Sequence, residues 1–456
     1  MISKVYTLTY VPRKSLFLRF CFVFGRDLHS FIQLQHHSSD LVFHSPAGHV
    51  NLSQITASIV LPCMMQPNCH RVLMRRCCLF LGEICFHLAG VDMDLYFRAL
   101  FQALTHADAA VALAACNALT SSMEGLDISS EQRNLAAFLP VLPGFVEQLV
   151  KLLHALEEED SKSKILHAIS ITISNAGESA AQLASGLIAA FPQIWNASRN
   201  CPTTQPKCLM LATALVNCAR VAVAPHVPAL CSAIAFTVNV SDALTLTTRE
   251  FALDTWLAIM RNITAYTEEL HKLFEYLIPF IHEDHCENIK AVTAILDSYV
   301  LLGGATFASV YSAAVLQGCA RILPHVKEQA TTLISQSVHV MFVAVPGVVG
   351  TESAGAMCAA IASFVTHPVK KPHSLILTSF YGVLARYCFL NTPNFIALCQ
   401  HLGENALDVL IEVSLPHFIL FISHFKFNIS SFTSHAYYSL CFLQWTRRQL
   451  KYAASC

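Results

Sequence analysis

The tightest grouping of metal-binding side chains in the sequence is His282-Glu-Asp-His285-Cys286, two imidazoles and a thiol within five residues. A zinc site takes four such ligands, and no second cluster of fitting spacing answers this one. The same stretch suits a loop between two helices, with Asp284 and Glu287 as a D-x-x-E capping box. His36 and His37 with His44 and His49 form a second histidine group that no Cys or carboxylate pattern accompanies. No metal is expected at either place. Glu157-Glu-Glu-Asp160 is the only acidic run, either a solvated helix end followed by a cap or a patch facing a basic partner. Trp195 and Trp256 stand at helical spacing among apolar neighbours, which predicts core anchors rather than ligand platforms.

The motifs of common chemistries are missing: there is no Gly-rich phosphate loop, nucleophile elbow, zinc-protease helix or CxxC pair. No catalytic, cofactor-binding or metal residue is therefore assigned, and the chain reads as a non-enzyme. Partner-contact residues carry no recognisable sequence signal either. The formal net charge of −1 supplies no basic stripe for a phosphate backbone, so direct nucleic-acid binding is not expected.

Charged residues make up 13 % of the 456 and hydrophobic ones 54 %, a balance found in strongly buried or membrane-embedded chains. Val221–Ser241, Tyr299–Ala320 and Ala330–Thr351 are uncharged and near the roughly 20 residues a spanning helix needs. The first contains Pro225, His226, Pro228 and Asn239, and the third Gln336, His339, Pro346 and Gly347, which suit a protein core better than lipid. Most of the 18 cysteines fall inside apolar helical patterns, as Cys208, Cys218 and Cys319 do. They behave there as small hydrophobes and point to a reducing compartment.

From about residue 70 to 413 the sequence predicts successive amphipathic helices broken by Pro, Gly, Asp or Asn. Leu270, Leu273, Phe274, Leu277, Ile278 and Ile281 share one helix face. Asp108 and Asp160 mark helix starts, and so do Gln205, Thr245, Asp284, Lys327 and Lys370. Successive starts lie 52, 45, 40, 39, 43 and 43 residues apart, most of them near the roughly 40–47-residue period of HEAT and armadillo arrays. The expected fold is all-α, a HEAT/ARM-type α-α superhelical solenoid over residues 70–413. Residues 1–69 are expected to be an unassigned extension or an artefact of the gene model. Their Lys4, Arg13, Lys14, Arg19 and Arg26 around the apolar run Leu16–Phe24 also fit a transit or signal segment. Residues 414–456 form an atypical C-terminal segment.

Several ordered phrases resemble the importin-β (karyopherin-β) superfamily, most of all its importin-eleven branch. They are Arg75-Arg-Cys-Cys-Leu-Phe-Leu-Gly82, Phe251-Ala-Leu-Asp-Thr-Trp-Leu257, Asp297-Ser-Tyr-Val-Leu-Leu-Gly303 with Phe307 and Tyr311, and Tyr381-Gly-Val-Leu-Ala-Arg386 leading to Asn391-Thr-Pro-Asn-Phe395. Leu79 and Ile84 stand where the family's first motif has tryptophans, and Ala112 replaces a repeat arginine. The resemblance implies a nuclear transport receptor shuttling between cytoplasm and nucleus, whose partners are protein cargo, the small GTPase Ran and nuclear pore proteins, with no membrane insertion. It begins in the middle of the family's architecture and implies a partial chain without the N-terminal repeats that grip Ran. A general HEAT-repeat scaffold, or a polytopic membrane protein, is the alternative.

Overall fold

The computed structural model describes residues 44–45, 48–49, 52–85, 91–125, 132–238, 248–281, 288–366 and 374–402. Two two-residue strands, β1 (His44–Ser45) and β2 (Gly48–His49), form an antiparallel pair with His44 opposite His49. Helices account for almost all the rest, and the fold is an all-α, HEAT-type stack of helix pairs. Contacts divide the chain into two units, Met1–Ala222 and Val223–Cys456.

The first unit holds α1 (Leu52–Met64), α2 (Arg71–Glu83), α3 (Met93–Leu104), α4 (Ala109–Gly125), α5 (Gln132–Phe138), α6 (Leu142–Ala155), α7 (Glu159–Ala176), α8 (Ala181–Ser198) and α9 (Gln205–Ala219). The second helices of the pairs make one row, α2 on α4 on α7 on α9, while α1 packs on α3 and α3 on α6 in the other. Row neighbours run parallel. Asn175 near the end of α7 donates to the Met123 carbonyl near the end of α4 at 3.1 Å. At the other end of α7, Ser163 Oγ donates to the Thr203 carbonyl just before α9 at 3.1 Å. Row helices start at residues 71, 109, 159 and 205, steps of 38, 50 and 46.

α1 lies inside the stretch expected to be an extension, yet Val60, Leu61 and Met64 in it are fully buried. Its middle is a π turn, Thr56–Val60, just ahead of Pro62. Proline has no N–H for the usual i→i−4 bond, and the wider turn accommodates the gap.

The second unit holds α10 (Val227–Thr237), α11 (Arg249–Asn262), α12 (Glu268–Leu273), α13 (Ile289–Ile322), α14 (Glu328–Ala344), α15 (Glu352–Thr366), α16 (Ser374–Leu390) and α17 (Thr392–Leu402). α13 is two helices in one: Gly304, at φ 49° and ψ −128°, splits it into limbs 289–303 and 305–322. The first limb joins the row α11, α13, α14, α16. The second limb lies beside α15, where Gln317 Nε2 donates to Ser353 Oγ at 3.3 Å.

The six-residue apolar stripe from Leu270 to Ile281 does not form the continuous helix its spacing predicts. α12 ends at Leu273 and gives way to 3-10 turns at Phe274–Tyr276 and Ile278–Phe280. Pro279 explains the change, since its ring conflicts with an α-helical carbonyl four residues back. Leu270, Leu273, Phe274, Leu277 and Ile281 are buried all the same. Around them stands the main aromatic cluster, with the Phe274 ring 4.6 Å from Phe307 and 4.9 Å from both Tyr299 and Tyr311. Trp256 Nε1 donates to Tyr299 Oη at 3.0 Å, and Tyr299 donates in turn to the Leu270 carbonyl at 2.9 Å. Three elements, α11, the first limb of α13 and α12, are thereby joined by one buried chain of donors and acceptors. Burial of Tyr299 holds its phenol well above the usual range, so it remains a donor.

Helix starts agree closely with the sequence at several points. Asp108 Oδ1 accepts from the Ala110 amide at 2.9 Å, the expected cap. Gln205 opens α9 and Lys327 sits just before α14. Asp160 is not the cap expected of it: α7 opens at Glu159, with Glu158 at the N-cap, and Asp160 lies in the first turn. α11 opens at Arg249, and Thr245, Asp284 and Lys370 lie outside the described residues.

Gly177 (φ 53°, ψ −132°), Arg220 (φ 52°, ψ −125°) and Gly304 each end a row helix in nearly the same left-handed conformation. They lie 43 and 84 residues apart, about one and two repeat periods. The turn is a repeat feature, filled by glycine twice and by a strained arginine once. Open space surrounds a Cβ placed at Gly304. Gly304→Ala should therefore cost only the backbone strain, about 1–3 kcal/mol, and lower the thermal midpoint seen by circular dichroism. Arg220→Gly should raise it. The same sign for both would show that the shared turn is not what sets their cost.

Candidate protein-binding surface

A binding protein of this architecture must present side chains from the outer face of a helix row, because the inner faces are used in packing. In the first unit the outer side of α2 carries Val72, Arg75, Arg76 and Leu79 at i, i+3, i+4 and i+7, a stripe of mixed basic and apolar character. Arg71 at its start pairs with Asp108 at 3.2 Å. Further along the row, His167 Nε2 on α7 meets Glu124 Oε1 on α4 at 3.0 Å.

The second unit presents a different surface. Leu301, Val343 and Phe389 lie near the C-terminal ends of the first limb of α13, of α14 and of α16, and they are 69 %, 48 % and 49 % exposed. Between residues 291 and 351 the only charged side chains are Asp297, Arg321, Lys327 and Glu328. These apolar residues are exposed on an almost uncharged background.

Asp297 is the exception beneath that surface. Its Oδ1 is buried and, like Ser337 Oγ on α14, without a hydrogen-bond partner. Burial raises the carboxyl's pKa, and the neighbouring Ser337 hydroxyl lowers it by less. Cysteine thiols in the packed interior are held protonated by burial, Cys116 and Cys319 at about 12 and Cys208 at about 11. They act as packing groups, not nucleophiles.

The residues singled out by type and spacing are scattered. Trp195 is buried on α8 beside Phe191, their rings stacked with centroids 6.3 Å apart, and Trp256 is wholly buried against Tyr299. The acidic run is spent in part on its own helix start: Glu158 Oε2 accepts from Ser161 Oγ at 2.5 Å, and Glu159 pairs with Lys162 at 2.9 Å. That pairing lowers the Glu159 pKa. His282, His285, Cys286, His36 and His37 lie outside the described residues, as do the side chains of His44 and His49. Among the described residues no three His, Cys, Asp or Glu side chains are grouped to hold a metal ion.

Residues 207–420 match a family model described as Importin-11-like, TPR repeats. Importin-11 of Mus musculus is 22 % identical over 341 residues, which cover 74 % of this chain and 34 % of the mouse protein. Over this stretch the chain is similar to importin-11. It spans about a third of the length of the curated relatives it matches. Among solved structures, Lph2, a bidirectional nuclear transport receptor of S. cerevisiae, aligns with a TM-score of 0.64 at 16 % identity over 77 % of this chain and 36 % of its own. Kap95p, described with RanGDP, aligns with a TM-score of 0.56 at 13 % identity over 87 % of this chain and 52 % of its own. These likenesses concern the fold. Although the family model is described by TPR repeats, the helix-row steps here exceed the 34 residues typical of a TPR and sit nearer the HEAT period.

The pH response of Asp297 tests the packing under this surface. Its raised carboxyl pKa means the folded protein keeps the proton to higher pH than the unfolded chain does. Below the unfolded value of about 3.9 nothing is lost, and as pH rises through the folded value stability falls. Asp297→Asn should raise the urea midpoint at pH 7 and leave it almost unchanged near pH 3.5. A lower midpoint at pH 7 would mean that the charged carboxylate is satisfied in the fold.

Proposed function

We propose that this chain is a nuclear transport receptor of the importin type, binding folded protein cargo and moving between cytoplasm and nucleus. The observation that carries this reading is the family match over residues 207–420, on a helix stack that leaves Leu301, Val343 and Phe389 exposed. A helix-pair array suits the task because each pair touches only its neighbours. Small changes per pair then add up along the array, and a partner that prefers one arrangement shifts the whole. Control by Ran is part of the proposal; Kap95p is described with RanGDP. If Ran weakens cargo binding, cargo must weaken Ran binding by the same factor. The chain is read as a non-enzyme, in keeping with thiols held protonated by burial.

Two apolar runs, Gln205–Thr237 and Ile289–His325, are long enough to cross a membrane by length and composition. Each is interrupted by a left-handed residue, Arg220 in the first and Gly304 in the second. About half of each run is buried within the fold, so core helices are the better reading.

Affinity capture with Ran loaded with GTP or GDP tests the proposal, and retention of GTP-loaded Ran alone would support a receptor. Carbonate extraction should release the chain to the soluble fraction. Retention of neither form of Ran is expected of a general HEAT-repeat scaffold or of a receptor without its Ran-binding repeats, and retention in the pellet would favour a membrane protein.

A further inference from the structure

α1 and α2 are joined by residues 65–70, and this short segment folds back on itself. The Gln66 amide donates to the Cys63 carbonyl at 3.3 Å, and the Cys69 amide donates to the Gln66 carbonyl at 3.2 Å. The second bond closes a β-turn over residues 66–69 with Pro67 in its second position, where a φ fixed at about −65° suits the turn. His70 then caps α2, its Nδ1 accepting from the Val72 amide at 3.3 Å. The two turns bring Cys69 back to Cys63 in the last turn of α1, and their sulfurs stand 4.0 Å apart. Cys69 Sγ also donates weakly to the His70 carbonyl at 3.9 Å.

This pair differs from the cysteines that follow it. Cys77, Cys78 and Cys85 are buried, and burial pushes the Cys78 thiol up to about 12. Cys63 and Cys69 are only half-buried, and Met65, Gln66, Pro67 and Asn68 between them are exposed. A small reagent therefore reaches this turn as it does not reach a packed thiol. A disulfide needs its sulfurs about 2.0 Å apart. Rotation about the side-chain torsions is enough to close the remaining gap, because the hydrogen-bonded turns already hold the backbone.

We propose that Cys63 and Cys69 form a reversible redox modification site, closing to an intramolecular disulfide by exchange with a low-molecular-weight disulfide such as oxidised glutathione. One cysteine thiolate attacks the glutathione disulfide, which forms a protein–glutathione mixed disulfide and releases one glutathione thiolate. The other cysteine thiolate attacks the protein sulfur of that mixed disulfide and releases the second. The protein pair gives up two electrons and two protons, and oxidised glutathione takes them up as two thiols. In a reducing compartment the pair rests as the dithiol, and it closes when the glutathione pool becomes more oxidised. Closure ties the last turn of α1 to the cap of α2. The proposal is independent of the transport reading.

Mass spectrometry on the full chain tests it, after equilibration in glutathione buffers of increasing oxidised fraction, a quench with N-ethylmaleimide in denaturant, and trypsin digestion. Residues 27–71 contain no internal Lys or Arg cleavage site and leave as one peptide whose only cysteines are Cys63 and Cys69. That peptide should lose both alkylation sites together and two hydrogens in mass, while Cys78 stays alkylated. The exchange constant should be at least about ten-fold larger in the native chain than in urea, a difference near 1.4 kcal/mol. By linkage, oxidation should raise the thermal midpoint by a few degrees, and Cys69→Ser should abolish that rise. Two glutathione adducts in place of the internal link, or a link to another cysteine, would overturn the proposal. So would thiols that stay alkylated at every glutathione ratio, or an exchange constant no larger than in urea.

Discussion

Every helix in the two units has apolar faces that only its neighbours can cover. A single pair leaves too much of its surface wet, so stability comes from stacking one pair on the next. The buried link from Trp256 through Tyr299 to the Leu270 carbonyl shows how specific that stacking becomes. Burying a large aromatic ring contributes about 1.5–3 kcal/mol, which sets no direction, whereas the two hydrogen bonds fix how α11, α12 and α13 meet. Tyr311, donating to the His271 carbonyl at 2.9 Å, ties the second limb of α13 to the same place. The bend at Gly304 lets both limbs of one helix reach α12.

The sequence made the fold legible because burial and periodicity are local signals. Asp108 announced its helix through a side chain that can accept only at a helix start. Pattern alone misjudged other elements. The stripe from Leu270 to Ile281 was correctly read as buried, yet Pro279 converts much of it to 3-10 turns that still present the same residues inward. α1 was hidden because Pro62 and its π turn break the period on which helix recognition depends. The left-handed turn shared by Gly177, Arg220 and Gly304 was masked by its middle member, since arginine gives no hint of a positive φ.

The candidate surface was far less legible, for a reason rooted in composition. In a chain with so few charges, an exposed valine on α14 looks the same in sequence as the buried Met341 and Phe342 next to it. Helical phase should distinguish them, but hydrophobic residues nearly encircle the helix and the phase is lost. Conversely, the clusters that chemistry singles out, such as the acidic run at Glu157, proved to serve local purposes at a helix start. Only a structure shows that Phe389 is half exposed and that Gly382 packs against His339.

A fold built from nearest-neighbour contacts constrains the pattern of apolar residues and little else. Many sequences satisfy that pattern, which is why a likeness in fold persists at low identity and why the fold by itself names no cargo. Specificity must then reside where the pattern is broken: in polar atoms the stack leaves unsatisfied and in apolar side chains it leaves outside. Asp297 with Ser337 lies beneath the surface and sets a stability that responds to pH. Phe389 lies half exposed at the surface, with the Arg386 guanidinium 6.0 Å from its ring centroid. Of the two departures from the repeat pattern, only the second includes a side chain that the stack leaves outside.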